Sequence, residues 1–311
     1  RQESQIQLVN NDERPLMFLG GRLSFLPLSI VNISDIGHSN NDDHMKQPLK
    51  FLPYFRNTIW GGDEISRFKQ ISVNCRNIGE SWELSAVPGC ESIVSEGADM
   101  GLTLNDLTAK YGETLVGPRV YERYGNRFPL TIRLIDANED VTLDTLRDRT
   151  ATDAASENHD NVSIWYILNA SDGAMIYTDS TYGNDEVKTG TSPDIDQAGQ
   201  MKTHTGDTFL MPARYVRTIG AGNFLVEIQH ACDSDGVNPG DIKVEYEEVT
   251  GSRVFSNAGQ SLMSLVCLKG NGRLKVSNVL TTVQQGETIL IPAAADSFEV
   301  EGDLSLLKVA I

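Results

Sequence analysis

The sequence predicts a mainly β protein: two jelly-roll barrels with a few added helices. Three observations carry this expectation. Short apolar or alternating runs, bounded by Gly, Asn and Asp, recur along most of the chain. The segment Gly206 to Ala213, GDTFLMPA, returns as GETILIPA at Gly286 to Ala293, 80 residues later. Each copy follows a hairpin-like segment, WYILNASDGAMIY at 165–177 and SLVCLKGNGRLKV at 264–276. In both copies Gly with an acidic residue supplies a turn that starts a strand, and Pro ends the strand at a sheet margin.

The individual elements follow from local pattern. Strands are expected within 127–137 (RFPLTIRLIDA), 162–170 (VSIWYILNA), 174–179 (AMIYTD), 207–213 (DTFLMPA) and 223–229 (NFLVEIQ). The clearest helix lies within TLNDLTAKYGETLVG (103–117). Thr103 is placed to cap it, apolar residues recur at Leu104, Leu107 and Tyr111, and Gly112 is a stop signal. Residues 180–202 are polar and read as a surface excursion. Trp60 reads as core, and Gly61 and Gly62 suit a tight turn. No Lys-Ser/Thr follows them, so nothing there is a phosphate loop.

Hairpin, connection and a G-[DE]-x-x-x-x-P strand form the cupin signature. Its two occurrences divide the chain into a larger barrel over 46–238, with helical insertions, and a smaller C-terminal barrel over 242–311. Residues 1–45 differ: they are rich in Asn, Asp and Ser, and the chain starts with Arg1. They are read as a peripheral or disordered extension. A cloning scar or mis-assigned start ahead of Met45 is the preferred origin, and a native extension is the alternative.

Composition narrows the function classes. The 311 residues carry 43 acidic and 26 basic side chains, for a net charge of −17. Such a chain repels a phosphate backbone unless it carries a basic stripe, and no Lys/Arg run exists, so neither nucleic acid nor an anionic membrane is an expected partner. No apolar run reaches the length of a membrane helix. The four cysteines, Cys75, Cys90, Cys232 and Cys267, show no C-x-x-C spacing. They read as scattered thiols of a reducing compartment, and the expected location is cytoplasmic.

The ordered series PLKFLPYFRNTIWGG (48–62), NIGESWELSAV (77–87), FPLTIRLIDANEDVTL (128–143), WYIL (165–168), GDTFLMPA (206–213), GAGNFLVEIQ (220–229) and GETILIPA (286–293) resembles the short bacterial form of type I mannose-6-phosphate isomerase, from about Pro48 to Ile311. The resemblance implies interconversion of mannose 6-phosphate and fructose 6-phosphate in the first barrel. It also implies one zinc, held by Gln and His of an S-x-Q-V-H-P strand, a Glu of K-T-E-x-W-Y and a His after the G-D…P strand, with an Arg of a T-Y-R segment assisting. Moving a proton between C1 and C2 passes through an enediol, whose charge an electrophile stabilises.

At those family positions this chain carries other residues. The Gln position is Asp144 and the His position Leu146. The Glu position is Ser163, the second His position Arg217, and the Arg position falls near Val237. A hydrocarbon, a hydroxyl and a fixed cation are poor partners for Zn²⁺; only Asp144 remains a good donor. The expectation is therefore a degenerate member with no metal and no cofactor, inactive as an isomerase, that retains a sugar, sugar-phosphate or protein partner. The alternative is an active isomerase with a rebuilt site. Arg217 is expected to take the metal's place and pair with Asp144, unless both face solvent at the barrel mouth. Glu80, Trp82 and Glu83 match the family segment beside the sugar pocket, and Arg133 stands where the family has Lys. Glu80, Trp82, Arg133, Asp144 and Arg217 form the candidate residual pocket, the bland alternative being a packed Trp82 and Glu–Arg pairs. A relocated metal would need His159, His204 or His230 to converge with Asp144, Asp233 and Asp235, which is the weaker expectation for histidines in polar loops.

Overall fold

The structure is a computed structural model. It describes residues 7–9, 15–17, 45–71, 77–142, 163–178, 199–211, 217–230, 241–256 and 259–311, with the first two segments and Arg217 given as backbone. The chain opens with β1 (Gln7–Val9) and β2 (Pro15–Met17), then β3 (Leu49–Leu52), β4 (Tyr54–Gly62), helix α1 (Glu64–Phe68), β5 (Ile78–Leu84) and β6 (Ile93–Val94). Three short helices follow: α2 (Leu104–Tyr111), α3 (Glu113–Val116) and α4 (Pro118–Tyr124). The first barrel continues with β7 (Leu130–Ala137), β8 (Val141–Thr142), β9 (Ser163–Ala170), β10 (Met175–Thr178), β11 (Gln200–Lys202), β12 (Thr208–Met211), β13 (Arg217–Ile219) and β14 (Asn223–His230). The C-terminal strands are β15 (Lys243–Ser256), β16 (Met263–Val276), β17 (Val279–Gln284), β18 (Thr288–Ile291) and β19 (Ser297–Ala310).

Strands β12-β9-β14-β7-β5-β4-β1-β2 form one sheet, and β11-β10-β13-β8 form a second. Between them lies an apolar core that includes Ile135, Trp165, Ile167, Ile176, Met201, Phe209, Ile219 and Leu225. Alternation along β7, β9 and β14 sends the intervening residues Ile132, Leu134, Ile164, Val226 and Ile228 to a different core on the outer face. That outer core also takes in Leu104 and Leu107 of α2, Leu262 just before β16, and Val266, Leu290, Leu307 and Val309 of the C-terminal strands. Two-faced burial explains why β7 reads as a near-continuous apolar run rather than a clean alternation.

The C-terminal strands enclose a third core around Leu265, Cys267, Ile289, Phe298 and Val300. Their sheet, β15-β19-β16-β18-β3-β6, recruits β3 from the N-terminal side: Lys50 and Leu49 pair with Ile289 and Leu290 of β18. The two barrels are thus joined by a strand as well as by a shared core.

The expected helix begins as its sequence signals. Thr103 accepts from the Asp106 N–H while the Asp106 carboxylate accepts from the Thr103 N–H, a reciprocal cap, and Gly112 ends the helix. Two expectations need correction. The surface excursion assigned to 180–202 ends in a strand, since β11 pairs with β10 and buries Met201; one buried apolar residue in a polar run carries too weak a period to be seen. Gly61 and Gly62 end strand β4 instead of making a tight turn. They are needed for closeness: a Cβ on Gly61 would lie 2.4 Å from Gly79 N, and one on Gly62 would lie 2.8 Å from the Asp136 carboxylate.

Candidate functional site

The first barrel holds a row of polar side chains across four strands. Trp82 of β5 stands opposite Arg133 of β7, Arg133 opposite Glu227 of β14, and Glu227 opposite Trp165 of β9. Register therefore places them side by side on the face that carries Trp165 and Phe209. Arg133 and Glu227 are buried, as is Glu80. Arg133 Nε donates to Glu227 Oε2, and Arg133 Nη1 lies 3.5 Å from Glu80 Oε1. Trp165 Nε1 donates to Glu227 Oε1 at 3.0 Å, and Trp82 Nε1 donates to Glu80 Oε2 at 2.8 Å.

A second guanidinium closes the group. Arg56 of β4 sits 3.1 Å from Glu80 Oε2 and donates to Cys90 Sγ at 3.0 Å. Both cations lie over the Trp82 ring, Arg133 Cζ 4.9 Å and Arg56 Cζ 5.5 Å from its centroid. Burial disfavours the charge on Arg133, but Glu227 and Glu80 outweigh it and hold its pKa above the ordinary value. Burial lifts the Cys90 thiol, against the pull of Arg56. The cluster is a compact, internally paired array of two cations and two carboxylates, with tryptophan N–H groups satisfying further carboxylate oxygens.

Glu83 does not join it. Its carboxylate takes Lys69 Nζ at 2.8 Å on both oxygens and Ser81 Oγ at 2.5 Å. The acidic residues of GESWELS therefore serve two separate networks, Glu80 inside the first barrel and Glu83 toward the C-terminal one.

Ser163 lies one pleat along from this row. It is fully buried at the start of β9, opposite Met211 of β12 and Gln229 of β14, and Gln229 stands opposite Thr131 of β7. Arg217 is placed by backbone in β13, opposite Thr178 of β10. Asp144, Leu146 and Val237 lie outside the described residues, and so does the expected Asp144–Arg217 contact. Of the six groups weighed for a relocated metal, His204 and His230 are described. His204 is exposed and 3.3 Å from Asp207, whereas His230 is buried against Tyr124, its Nδ1 3.2 Å from the phenol. Among the described residues no group of three or more His, Cys, Asp or Glu side chains is arranged to hold a metal ion.

Sequence reasoning missed Arg56, Glu227, Trp165 and Cys90. Glu227 was detectable. It interrupts the apolar strand NFLVEIQ as Arg133 interrupts LTIRLIDA, and a charge set within a buried apolar strand implies a buried partner on a neighbouring strand.

Comparison with known proteins fits this architecture. Residues 241–311 match the family model described as mannose-6-phosphate isomerase, cupin domain. Mannose-6-phosphate isomerase ManA of Bacillus subtilis is 28% identical over 201 residues, which cover 60% of this chain and 59% of that relative's length. The crystal structure of the mannose 6-phosphate isomerase from Bacillus subtilis superposes with a TM-score of 0.65 at 18% identity, over 85% of this chain and 99% of that one. A zinc-bound holo mannose 6-phosphate isomerase gives 0.65 at 12% identity, over 84% of this chain and 98% of that one. Two jelly-roll barrels and the order of their strands give the chain the fold of these mannose 6-phosphate isomerases, and residues 241–311 are similar to the cupin domain of that family.

Proposed function

We propose that the protein is a mannose-6-phosphate isomerase homologue that has given up zinc and isomerisation and keeps a sugar or sugar-phosphate ligand in its first barrel. The observation that carries this is Ser163. The position that resembles the family's Glu ligand is a fully buried serine whose cross-strand neighbours are Met211 and Gln229. A hydroxyl, a thioether and a carboxamide are weak donors for Zn²⁺, which takes thiolate, imidazole or carboxylate. Arg217 and Leu146, read from sequence at two further ligand positions, offer no lone pair. The residues do not fit the metal, and no step of the proposed function runs through it.

The polar row supports retention of a ligand. Gln229, Thr131 and Ser163 lie one pleat from Glu227, Arg133 and Trp165, and hydroxyl and amide groups beside a buried ionic array suit a polyol. The chemistry of the relatives, named as mannose 6-phosphate isomerases, motivates the choice of sugar phosphates as first ligands. A protein partner would be the remaining role if sugars fail to bind.

The competing proposal is an active isomerase with a rebuilt site, for which the buried Arg133–Glu227–Glu80 array is the only described machinery. One experiment separates the two. The full chain is purified, its metal content measured with and without added Zn²⁺, and turnover of mannose 6-phosphate followed in a coupled assay. The expected result is less than stoichiometric zinc and no chelator-sensitive turnover, with mannose 6-phosphate raising the melting temperature. Stoichiometric zinc with turnover abolished by chelator overturns the proposal.

A further inference from the structure

A cavity of about 520 Å³ lies between the two barrels, walled by β3, β18 and the residue after α1. Its chemistry differs from that of the first barrel. Lys50 Nζ is 2.8 Å from Glu287 Oε1, and Lys69 Nζ bridges the buried Glu83 carboxylate and the Gly286 carbonyl at 2.5 Å. Both ammonium groups are largely buried and already committed. Among the described residues the lining carries three carboxylates, Glu83, Glu96 and Glu287, against these two lysines. An incoming phosphate would meet an excess of negative charge and no uncommitted cation in that lining. A neutral polyol meets donors and acceptors together, with Phe51, Phe55 and Met100 as an apolar wall for a ring face.

A second, independent observation points to the same class of ligand. Thr288 lines this cavity, is 6% exposed, and its Oγ1 has no hydrogen-bond partner among the described residues. It shares a face of β18 with Leu290 and stands opposite Val266; both of those side chains belong to the core shared with the first barrel. The side chain is therefore on the face of β18 turned toward the first barrel, where a buried hydroxyl without a partner is costly.

We infer that the inter-barrel cleft is a binding site for an unphosphorylated hexose or similar neutral polyol, distinct from the site proposed in the first barrel and independent of it. Lys50 and Glu287, paired with each other, present a neutral donor–acceptor edge, and Thr288 behind Glu287 holds a buried hydroxyl that still lacks a partner among the described residues. A hexose-sized ligand held by a few hydrogen bonds on a mostly preformed wall binds with a dissociation constant on the order of millimolar.

The seven methionines give the test its spatial resolution. Met100 lines the cleft and is half-exposed, while Met211 lies opposite Ser163 in the first barrel. The full chain is labelled at the methionine methyl groups and titrated with D-mannose, D-fructose and, separately, mannose 6-phosphate. The expected result is a saturable shift of the Met100 resonance with a free hexose. Thr288→Val and Glu287→Gln each weaken it roughly fivefold, the effect of one hydrogen bond. Glu287 is partly exposed, so its conservative variant keeps the test decisive if the Thr288 variant misfolds. No Met100 shift at tenfold the expected dissociation constant, an unchanged affinity in Glu287→Gln, or tighter binding of the phosphorylated sugar at Met100 overturns the inference. Failure of the first-barrel proposal reads out separately, as the behaviour of Met211 and of zinc content.

Discussion

Arg133 and Glu227 face each other across β7 and β14 and share a guanidinium–carboxylate hydrogen bond inside the first barrel. Neither residue reaches solvent to any useful degree. Burial of an ion pair stabilises little by itself, but loss of one partner leaves a desolvated charge. Arg133→Met is expected to lower unfolding free energy by about 3–5 kcal/mol, and Glu227→Gln by a similar amount. The double variant should cost clearly less than the sum, because neither charge is then orphaned. Urea denaturation of the four proteins checks this, and additivity would show that the pair is not coupled.

The two copies of the G-[DE]-x-x-x-x-P pattern put their glycines in the same conformation but in different surroundings. Gly206 and Gly286 have φ values of +93° and +85°. A Cβ on Gly206 meets nothing within 4 Å, whereas one on Gly286 would lie 2.8 Å from Lys69 Cα and 3.0 Å from the Phe68 carbonyl oxygen. Gly206→Ala should cost about 1–2 kcal/mol from backbone strain alone. Gly286→Ala carries that strain plus displacement of α1 from the C-terminal barrel, and should lower the melting temperature measurably further. Equal melting temperatures would contradict the close approach.

His230 gives a pH-dependent term. Burial, aided by the Arg123 charge, pushes its pKa down to about 4, against 6.5 for the free side chain. The unfolded chain therefore binds a proton that the folded chain refuses between pH 6.5 and 4, and stability falls as pH falls through that window. The span corresponds to roughly 3 kcal/mol. His230→Phe keeps a ring against Tyr124 and removes the titration, so its stability relative to the parent should rise by up to that amount between pH 7 and pH 4.

Asp136 acts with the opposite sign. Its carboxyl accepts from the Glu64 N–H at 2.7 Å, yet burial raises its pKa to about 6. Between pH 3.8 and 6 the folded chain holds a proton that the unfolded chain has released, so this group's contribution falls as pH rises. Asp136→Asn keeps an acceptor for the helix N–H groups and loses the slope. Relative to the parent it should gain up to about 3 kcal/mol between pH 4 and pH 7. Calorimetry across that range on both variants separates the two terms, because they run in opposite directions.

Much of the fold was legible because it is written locally. Gly-acidic turns, strand-ending prolines and the Thr103/Asp106 reciprocal cap act over a few residues, and the repeat at 206 and 286 announces a second barrel. The site was only half legible. Glu80, Trp82 and Arg133 fall in one cluster, but sequence spacing could not show that Glu83 turns to Lys69. Nor could it supply Arg56 or Glu227, which arrive from strands 24 residues before Glu80 and 94 residues after Arg133. Burial of charge is a tertiary property: it depends on which strands lie side by side, and register decides that only after the sheet has formed.

The pairing of Leu49 and Lys50 with β18 has a consequence for how this chain can be cut. The segment that ends at Ile311 is not self-sufficient: released alone, its β18 would present an unsatisfied backbone edge beside Leu290, inviting association with any extended peptide. The piece that heals that edge is encoded some 240 residues upstream. A split of the polypeptide near residue 241 should therefore yield halves that find each other in solution.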